Sequence, residues 1–202
     1  MSRTRGAGRP IQYDRAAAIE ATKQLFYEKG FKEASIQDVV AVTGMQTGSV
    51  YTAFGSKLQL FLECLDTELK QLAEQVDCCL KNTADPLDGL LRFWALGYGG
   101  IDKPSFDFLA RVDFPDRESE AWQRTAAAWR ECDQALQAAI TAAQAAGQVR
   151  RDLSAAEIDR FVRSVMLGER YMRYYCDEPD GASERRSPEE LILEFLRDNL
   201  TC

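Results

Sequence analysis

The amino-acid sequence predicts an all-α protein of about nine helices, in which a small N-terminal three-helix domain precedes a larger helical domain. Three observations lead to this prediction. Apolar residues recur at spacings of three and four along most of the chain, as they do on one face of a helix. Ser, Asp and Gly residues stand between these segments, where helices begin and end. No segment shows the alternation of apolar and polar residues that is typical of a β-strand.

The composition is that of an ordinary globular protein. The 202 residues, of which 46% are hydrophobic and 28% charged, are enough for one large or two small domains. The chain has no run of about 18 apolar residues, so we expect no membrane span. Its N-terminus is basic but lacks the apolar core of a signal peptide, so we expect a cytoplasmic protein.

The charge is divided unevenly along the chain. The net charge is −7, which by itself argues against nucleic acid as a partner. Residues 1–60, however, hold eight Lys and Arg against five Asp and Glu, and the remaining residues are strongly acidic. A cationic head on an acidic body suits a protein that meets phosphate with one end only.

The segment from Ser35 to Lys57 predicts a helix-turn-helix. Ser35 and Asp38 have the spacing of a capping box, and Gly44 is the residue type that ends a helix in the left-handed conformation. Met45 is expected to be an apolar residue buried in the turn, and a second helix is predicted from about Gln46 to Phe54, with Val50 and Phe54 facing inward. The residues on its outer face are uncharged and form hydrogen bonds, as expected for a helix that enters the major groove of double-stranded DNA. They are Thr47, Ser49, Tyr51 and Thr52.

The stretch from Ile19 to Leu65 resembles the DNA-binding domain of the tetracycline-repressor (TetR) family. The resemblance is carried by AIEATKQLFYEKGF, SIQDVVAVTG, TGSVYTAF and GSKLQLFLECL. Two positions depart from the family pattern. Gln46 stands where the family often has a serine, which predicts a weaker N-cap for the second helix. Ala53 stands where the family often has a histidine that contacts a phosphate, so one backbone contact is expected to be missing.

The predicted DNA contacts also include basic residues outside the helix-turn-helix. Residues 1–13 are read as a basic arm for the minor groove, although a solvated terminus would look the same. Residues 14–60 form the DNA-binding domain. Lys57 lies in the first turn of the next helix, where an ammonium and free N–H groups favour a phosphate; the alternative is an exposed lysine. The full set is Arg3, Arg5, Arg9, Ser35, Gln46, Thr47, Ser49, Tyr51, Thr52 and Lys57.

The other helices follow from apolar spacing and capping signals. Pro86 suits the first position of a helix, and Gly30 and Gly147 suit positions just after helix ends. A polar loop is predicted at 177–187. The predicted helices outside the helix-turn-helix are 14–29, 56–81, 86–98, 105–112, 118–146, 154–176 and one that opens at about 187.

Residues 61–202 are predicted to bind an effector and to dimerise. One recognition helix reads few base pairs, so a homodimer on a palindromic operator is expected, and the TetR resemblance implies dimerisation through the last two helices. The residues of this interface could instead be ordinary core, but a dimer interface is favoured because the motif needs two copies. The predicted interface residues are Phe161, Val165, Gly168, Met172, Ile192 and Phe195.

Aromatic residues are frequent between the fifth and eighth predicted helices. They suit a packed core, or together the wall of a pocket for a partly apolar small molecule. The resemblance implies that such an effector moves the fourth helix and the DNA-binding head, and that repression is the commoner outcome. The predicted wall residues are Trp94, Tyr98, Phe114, Trp122 and Tyr171.

Two other functions compete with a ligand-responsive repressor. The six cysteines lack CxxC spacing and are read as free thiols, but a thiol-based redox-sensing regulator stays possible through Cys78 and Cys79. An enzyme with an appended DNA-binding head is disfavoured, because the chain has no histidine and no nucleophile motif. We expect no catalytic residues, cofactor or metal.

Overall fold

The computed structural model of the chain describes residues 14–98 and 119–175, together with Glu194, Arg197 and Asp198. This part is helical and contains no β-strand. None of its helices is long and apolar enough to cross a membrane. Its α-helices are α1 (Arg15–Glu33), α2 (Ile36–Thr43), α3 (Thr47–Phe54), α4 (Lys57–Val76), α5 (Pro86–Tyr98), α6 (Glu120–Ala145) and α7 (Ala155–Tyr175).

The chain divides into two compact units. Within the described part, residues 14–67 form the first unit, and residues 68–98 with 119–175 form the second. The boundary expected near residue 60 therefore lies inside α4, which contributes residues to both units. The helix predicted at 105–112 lies outside the described residues, as does most of the last predicted helix.

The core of the first unit is built on three phenylalanine rings. Phe26 and Phe61 meet edge to face with ring centroids 5.3 Å apart, and Phe31 lies 4.8 Å from Phe61 and 6.0 Å from Phe26. Aromatic pairs at these separations add to the free energy gained from burial. The buried residues around them confirm the predicted three-helix core, and they include Leu25, Val39, Val50, Phe54 and Leu62.

The first helix differs from its prediction at the C-terminal end. Gly30 has φ 79° and ψ 160°, outside the helical region, so the predicted break at this glycine is confirmed. The chain then makes a further helical turn to Glu33 before Ala34 donates its N–H to the Gly30 carbonyl at 3.2 Å. A backbone with this φ strains any residue with a Cβ, which explains glycine here.

A capping box starts α2. The Ser35 hydroxyl accepts a hydrogen bond from the Asp38 N–H at 3.1 Å, and the Asp38 carboxylate accepts from the Ser35 N–H at 2.8 Å. Lys29 donates to the same carboxylate at 2.7 Å. The hydrogen bonds from Lys29 and Ser35 hold the pKa of Asp38 well below its usual range. The predicted box is confirmed.

The second unit packs α5, α6 and α7 around a separate apolar core. Large side chains from each helix are fully buried, among them Leu90, Trp94, Ile140, Ile158 and Val162. A salt-bridge network of one arginine and two aspartates joins α6 and α7. Arg163 of α7 donates to Asp159 at 2.9 Å and to Asp133 of α6.

The fourth predicted helix is not a continuous α-helix. It is α-helical to Val76 and π-helical from Asp77 to Lys81. The wider turn places Cys79 and Leu80 in the core and leaves Cys78 exposed. The carbonyl of Cys79 lies so close to α5 that a Cβ on Gly89 would be 2.1 Å from it. Close approach of two backbones therefore requires glycine at position 89.

Helix α6 begins and ends within two residues of its predicted bounds, and side-chain hydrogen bonds cap both of its ends. The Ser119 hydroxyl accepts from the Trp122 N–H at 3.2 Å at the start. At the other end Arg151 donates to the carbonyls of Gln144 and Ala145 at 2.6 and 3.1 Å. These bonds replace the intrahelical partners that helix ends lack.

We predict that the capping box contributes stability that is lost in acid. Ser35→Ala should lower the free energy of unfolding by about 1 kcal/mol. Asp38→Asn should also lower the melting temperature at neutral pH. Because the folded pKa of Asp38 is depressed, the difference from wild type should be full above the ordinary value of 3.8 and shrink as the pH falls below it.

Thermal melts followed by circular dichroism between pH 2 and 7 check this prediction. Glu74→Gln is the control, since it removes a carboxylate from an exposed pair whose Lys70 nitrogen is 3.9 Å away. A difference between wild type and Asp38→Asn that persists unchanged at the lowest pH would contradict the role of the ionised carboxylate.

Candidate DNA-binding surface

The turn between α2 and α3 is fixed by local contacts. Gly44 has φ 68° and ψ 7°, and its N–H donates to the Val40 carbonyl at 2.9 Å. Met45 is buried under the turn, and its N–H donates to the Thr43 hydroxyl at 3.3 Å. The left-handed glycine and the buried methionine are both as predicted, and they set the direction in which α3 leaves the turn.

The residues that α3 buries determine which of its residues face the solvent. Val50 and Phe54 are only 2% and 4% exposed, as predicted. Thr47, Tyr51 and Thr52 are exposed on the other side of the helix, and Ser49 is half-buried. Thr52 donates its hydroxyl to the Gly48 carbonyl at 2.8 Å, so this hydroxyl can act toward an outside group only as an acceptor.

Gln46 precedes α3 and caps it with its backbone alone. Its carbonyl accepts from the N–H groups of Ser49 and Val50 at 2.9 and 3.0 Å, whereas its side chain makes no capping hydrogen bond. The weaker cap predicted for glutamine at this position is confirmed. The side chain is exposed.

Two predicted DNA contacts already have partners inside the unit. The Ser35 hydroxyl both accepts from and donates to Asp38. The Lys57 ammonium donates to the carbonyls of Phe31 and Ala34 at 2.8 and 2.9 Å and lies 4.5 Å from the centre of the Phe31 ring. A phosphate contact by Lys57 would require the ammonium to leave these carbonyls.

Arg15 has a structural role that its position in the sequence does not predict. One guanidinium nitrogen donates to the Ala53 carbonyl at 2.9 Å, in the last turn of α3, and another donates to Glu63 of α4 at 2.5 and 2.7 Å. The guanidinium also lies 4.5 Å from the centre of the Phe54 ring. Arg15 therefore ties the first turn of α1 to the end of the recognition helix and to α4.

Other cations of the first unit are also paired. Lys23 is 3% exposed and lies 2.9 Å from Glu20, and Lys29 lies 2.7 Å from Asp38. The predicted arm residues Arg3, Arg5 and Arg9 lie outside the described residues. The predicted recognition helix α3 carries no charged side chain, because residues 46–55 contain no Lys, Arg, Asp or Glu.

A cavity of about 460 Å³ opens beside the first half of α6 in the second unit. Trp122, one of the predicted wall residues, lines it together with Gln123, Ala126 and Arg130. Trp94, a second predicted wall residue, is 2% exposed in the core of the unit. Phe114 lies outside the described residues, as do the side chains of Tyr98 and Tyr171.

The predicted dimer residues on α7 form an open face. Phe161 is 47% exposed, Val165 is half-buried and Gly168 is exposed. A Cβ added to Gly168 would meet nothing within 4 Å. The Met172 side chain, Ile192 and Phe195 lie outside the described part of the chain.

None of the four cysteines among the described residues forms a disulfide, and three of the four are buried. Cys64, Cys79 and Cys132 are inside the units, and Cys78 is exposed. Burial raises the pKa of the Cys79 thiol, and it raises that of Cys132 to about 12. A thiol with a raised pKa is a poor nucleophile at neutral pH. The described residues contain no group of three or more side chains suited to a metal ion.

This arrangement defines a helix-turn-helix protein, with a short outward-facing helix on a small three-helix unit and a separate larger helical unit. Residues 18–64 match the bacterial regulatory proteins of the TetR family. This match covers the helix-turn-helix region and confirms that this region resembles the DNA-binding domain of that family.

A curated relative matches a similar length of the chain. Over 63 residues the chain is 41% identical to the HTH-type transcriptional repressor BdcR of Escherichia coli (strain K12), a match that covers 31% of this chain and 32% of BdcR. The match therefore spans about a third of the length of that curated relative.

Solved structures are similar over nearly the whole chain. The TetR family regulator PfmR from Thermus thermophilus is 25% identical, with a TM-score of 0.68 over 94% of this chain and 100% of PfmR. A cysteine mutant of the TetR family regulator CifR, complexed with a 26-base-pair operator DNA, is 22% identical, with a TM-score of 0.66 over 95% of this chain and 97% of CifR.

We predict that Lys57 stabilises the first unit. Lys57→Met keeps the apolar stem over Phe31 but removes the ammonium from the carbonyls at the end of α1. Hydrogen bonds to charged groups contribute about 1.5–3 kcal/mol, and partial exposure lowers this to about 1–2 kcal/mol here. Urea unfolding should show this loss, whereas Lys70→Met on the exposed side of the same helix should show none.

DNA binding distinguishes this role from a phosphate contact. If the ammonium stays on the carbonyls in the complex, Lys57→Met should leave the slope of log affinity against log salt unchanged. A slope smaller by about one unit, with unchanged stability, would instead give Lys57 the phosphate role that the sequence suggests.

Proposed function

We propose that this protein is a transcriptional repressor that binds a palindromic operator as a homodimer and is released by a small-molecule effector. The observation that carries the proposal is the exposed face of α3. It lies on a helix whose direction is fixed by Gly44 and Met45, and it presents only uncharged hydrogen-bonding groups. Such a surface suits the base edges of the major groove.

Repression is supported by the relatives rather than by geometry. BdcR, whose helix-turn-helix region is 41% identical to this chain, is named a transcriptional repressor. The CifR mutant, which has the same fold, is complexed with operator DNA. A regulator that blocks transcription needs no catalytic group.

Dimerisation is supported by the open face of α7. An exposed phenylalanine one turn from a half-buried valine is costly in water, and covering both removes apolar surface from solvent. Gly168, on the same face, leaves room for a partner helix to approach closely. A two-fold dimer would present two copies of α3 to half-sites about 34–36 Å apart.

The cavity beside α6 supports an effector of mixed polarity. Its volume of about 460 Å³ lies within the range of about 300–1,000 Å³ that is common for small-molecule sites. Trp122 and Ala126 offer apolar contacts, and Gln123 and Arg130 offer hydrogen-bond donors. The proposed coupling runs through α4, since this helix contributes residues to both units.

Selection of genomic fragments by the full-length protein tests the proposal. We expect enrichment of a short palindromic site, and fluorescence anisotropy should then give specific binding at least about a thousandfold tighter than binding to unrelated DNA. Enrichment of no sequence above the unrelated background would refute the proposed function.

The selected operator allows the effector to be tested by linkage. A ligand found by thermal shift should bind more weakly to the protein–operator complex than to the free protein, by the same factor by which it weakens operator binding. A hundredfold factor corresponds to about 2.7 kcal/mol. Equal ligand affinity in both titrations would exclude an inducer, and loss of operator binding with peroxide that dithiothreitol restores would assign regulation to thiols.

We predict that Gly168→Trp disrupts the dimer. The indole would stand on the open face of α7, where it would hold a partner helix away, and its Cβ would meet nothing within 4 Å in its own chain. Gly168→Ala is the matched control and should remain dimeric. Sedimentation velocity gives the oligomeric state, and circular dichroism shows that both variants fold. An intact Gly168→Trp dimer would place the interface elsewhere.

A further inference from the structure

The chemistry of the α3 face limits which bases this protein can recognise directly. Arg and Lys recognise guanine through its O6 and N7 atoms, whereas Gln and Asn recognise adenine through N6 and N7. Residues 46–55 contain no Arg, Lys or Asn, and Gln46 is the one amide side chain among them. The surface therefore lacks the side chains that select guanine.

The hydroxyl groups on the same face are less selective. Thr52 uses its hydroxyl proton inside the helix, on the Gly48 carbonyl at 2.8 Å. Ser49 is half-buried. Serine and threonine hydroxyls make single hydrogen bonds that several bases can satisfy, so they do not distinguish adenine from guanine as a two-bond contact does.

Gln46 has the position and the exposure that a two-bond contact with adenine requires. It lies at the N-terminal end of α3, the end of a recognition helix whose residues contact base edges. Its backbone carbonyl caps the helix, and its exposed side chain takes no part in that cap. Gly48, two residues along, has no side chain to shield it, and a Cβ there would meet nothing within 4 Å. The amide can therefore approach a base.

We propose that Gln46 is the specificity-determining residue of the recognition helix and selects one adenine in each operator half-site. Its amide oxygen accepts from adenine N6 and its amide nitrogen donates to N7. This inference rests on the proposed function, because it assigns a base to the surface that is proposed to bind DNA. It goes further in predicting the base and the residue that selects it.

Replacing Gln46 in the full-length protein tests the assignment. Operators from the selection are varied to all four base pairs at each position, one position at a time and symmetrically in both half-sites. Wild type should prefer adenine by about 10- to 100-fold at one position of each half-site. Gln46→Ala should bind all four bases equally at that position and keep its preferences elsewhere. Gln46→Arg should prefer guanine there.

The controls separate recognition from folding. Gln46→Ala should melt at the wild-type temperature, because the side chain makes no capping hydrogen bond. Gln24→Ala removes an exposed glutamine of α1 whose amide donates to Glu28 at 2.7 Å, and it should leave every base preference unchanged.

Two outcomes would overturn the inference while leaving the proposed function intact. If Gln46→Ala weakens binding to all operator variants equally, Gln46 contacts the DNA backbone and not a base. Unchanged preferences in both variants would assign the recognition to other residues. If the wild-type protein selects no DNA sequence at all, the proposed function fails first and this inference fails with it.

Discussion

Short helices cannot satisfy their own ends, and this constraint governs the first unit. An α-helix leaves four N–H groups and four carbonyls without internal partners at its two ends, and α2 and α3 are only eight residues long. Their stability therefore depends on side chains that satisfy these ends. Ser35 and Asp38 supply them at the start of α2. Lys57 supplies an ammonium to the carbonyls where α1 ends and α2 begins, and Arg15 supplies a guanidinium to the last turn of α3.

Arg15 and Lys57 are held at helix ends, and this limits how the first unit could bind DNA. A lysine or arginine that donates to carbonyls at helix ends keeps its charge but loses its freedom to move, so it stabilises the local geometry instead of following a phosphate. With Arg15 and Lys57 in this role, α3 keeps a defined direction although its own N-cap lacks a side-chain hydrogen bond. The proposed recognition face can then remain uncharged, and discrimination among sequences would depend on hydrogen bonds to base edges.

The sequence predicts the parts of this unit that depend on neighbouring residues. Gly44, Met45 and the Ser35–Asp38 box lie where they were expected, because turn and cap signals act over a few residues. The roles of Lys57 and Arg15 were not predictable in this way. Their partners lie 23 and 26 residues away for Lys57 and 38 and 48 residues away for Arg15. The π-helical turn after Val76 was also missed, because its apolar spacing resembles that of a longer α-helix.

An uncharged recognition helix separates affinity from specificity. Attraction to phosphate is independent of sequence and weakens with salt, whereas base contacts add discrimination that depends far less on salt. If the paired cations of the first unit remain on carbonyls and carboxylates in the complex, the salt-dependent attraction must come mainly from other basic residues, and Arg3, Arg5 and Arg9 near the N-terminus are candidates. Substitutions there should then change affinity for all DNA alike, and substitutions on α3 should change the preferred sequence. The acidic remainder of the chain would repel phosphate and weaken non-specific binding. This would increase the ratio of operator affinity to affinity for other DNA.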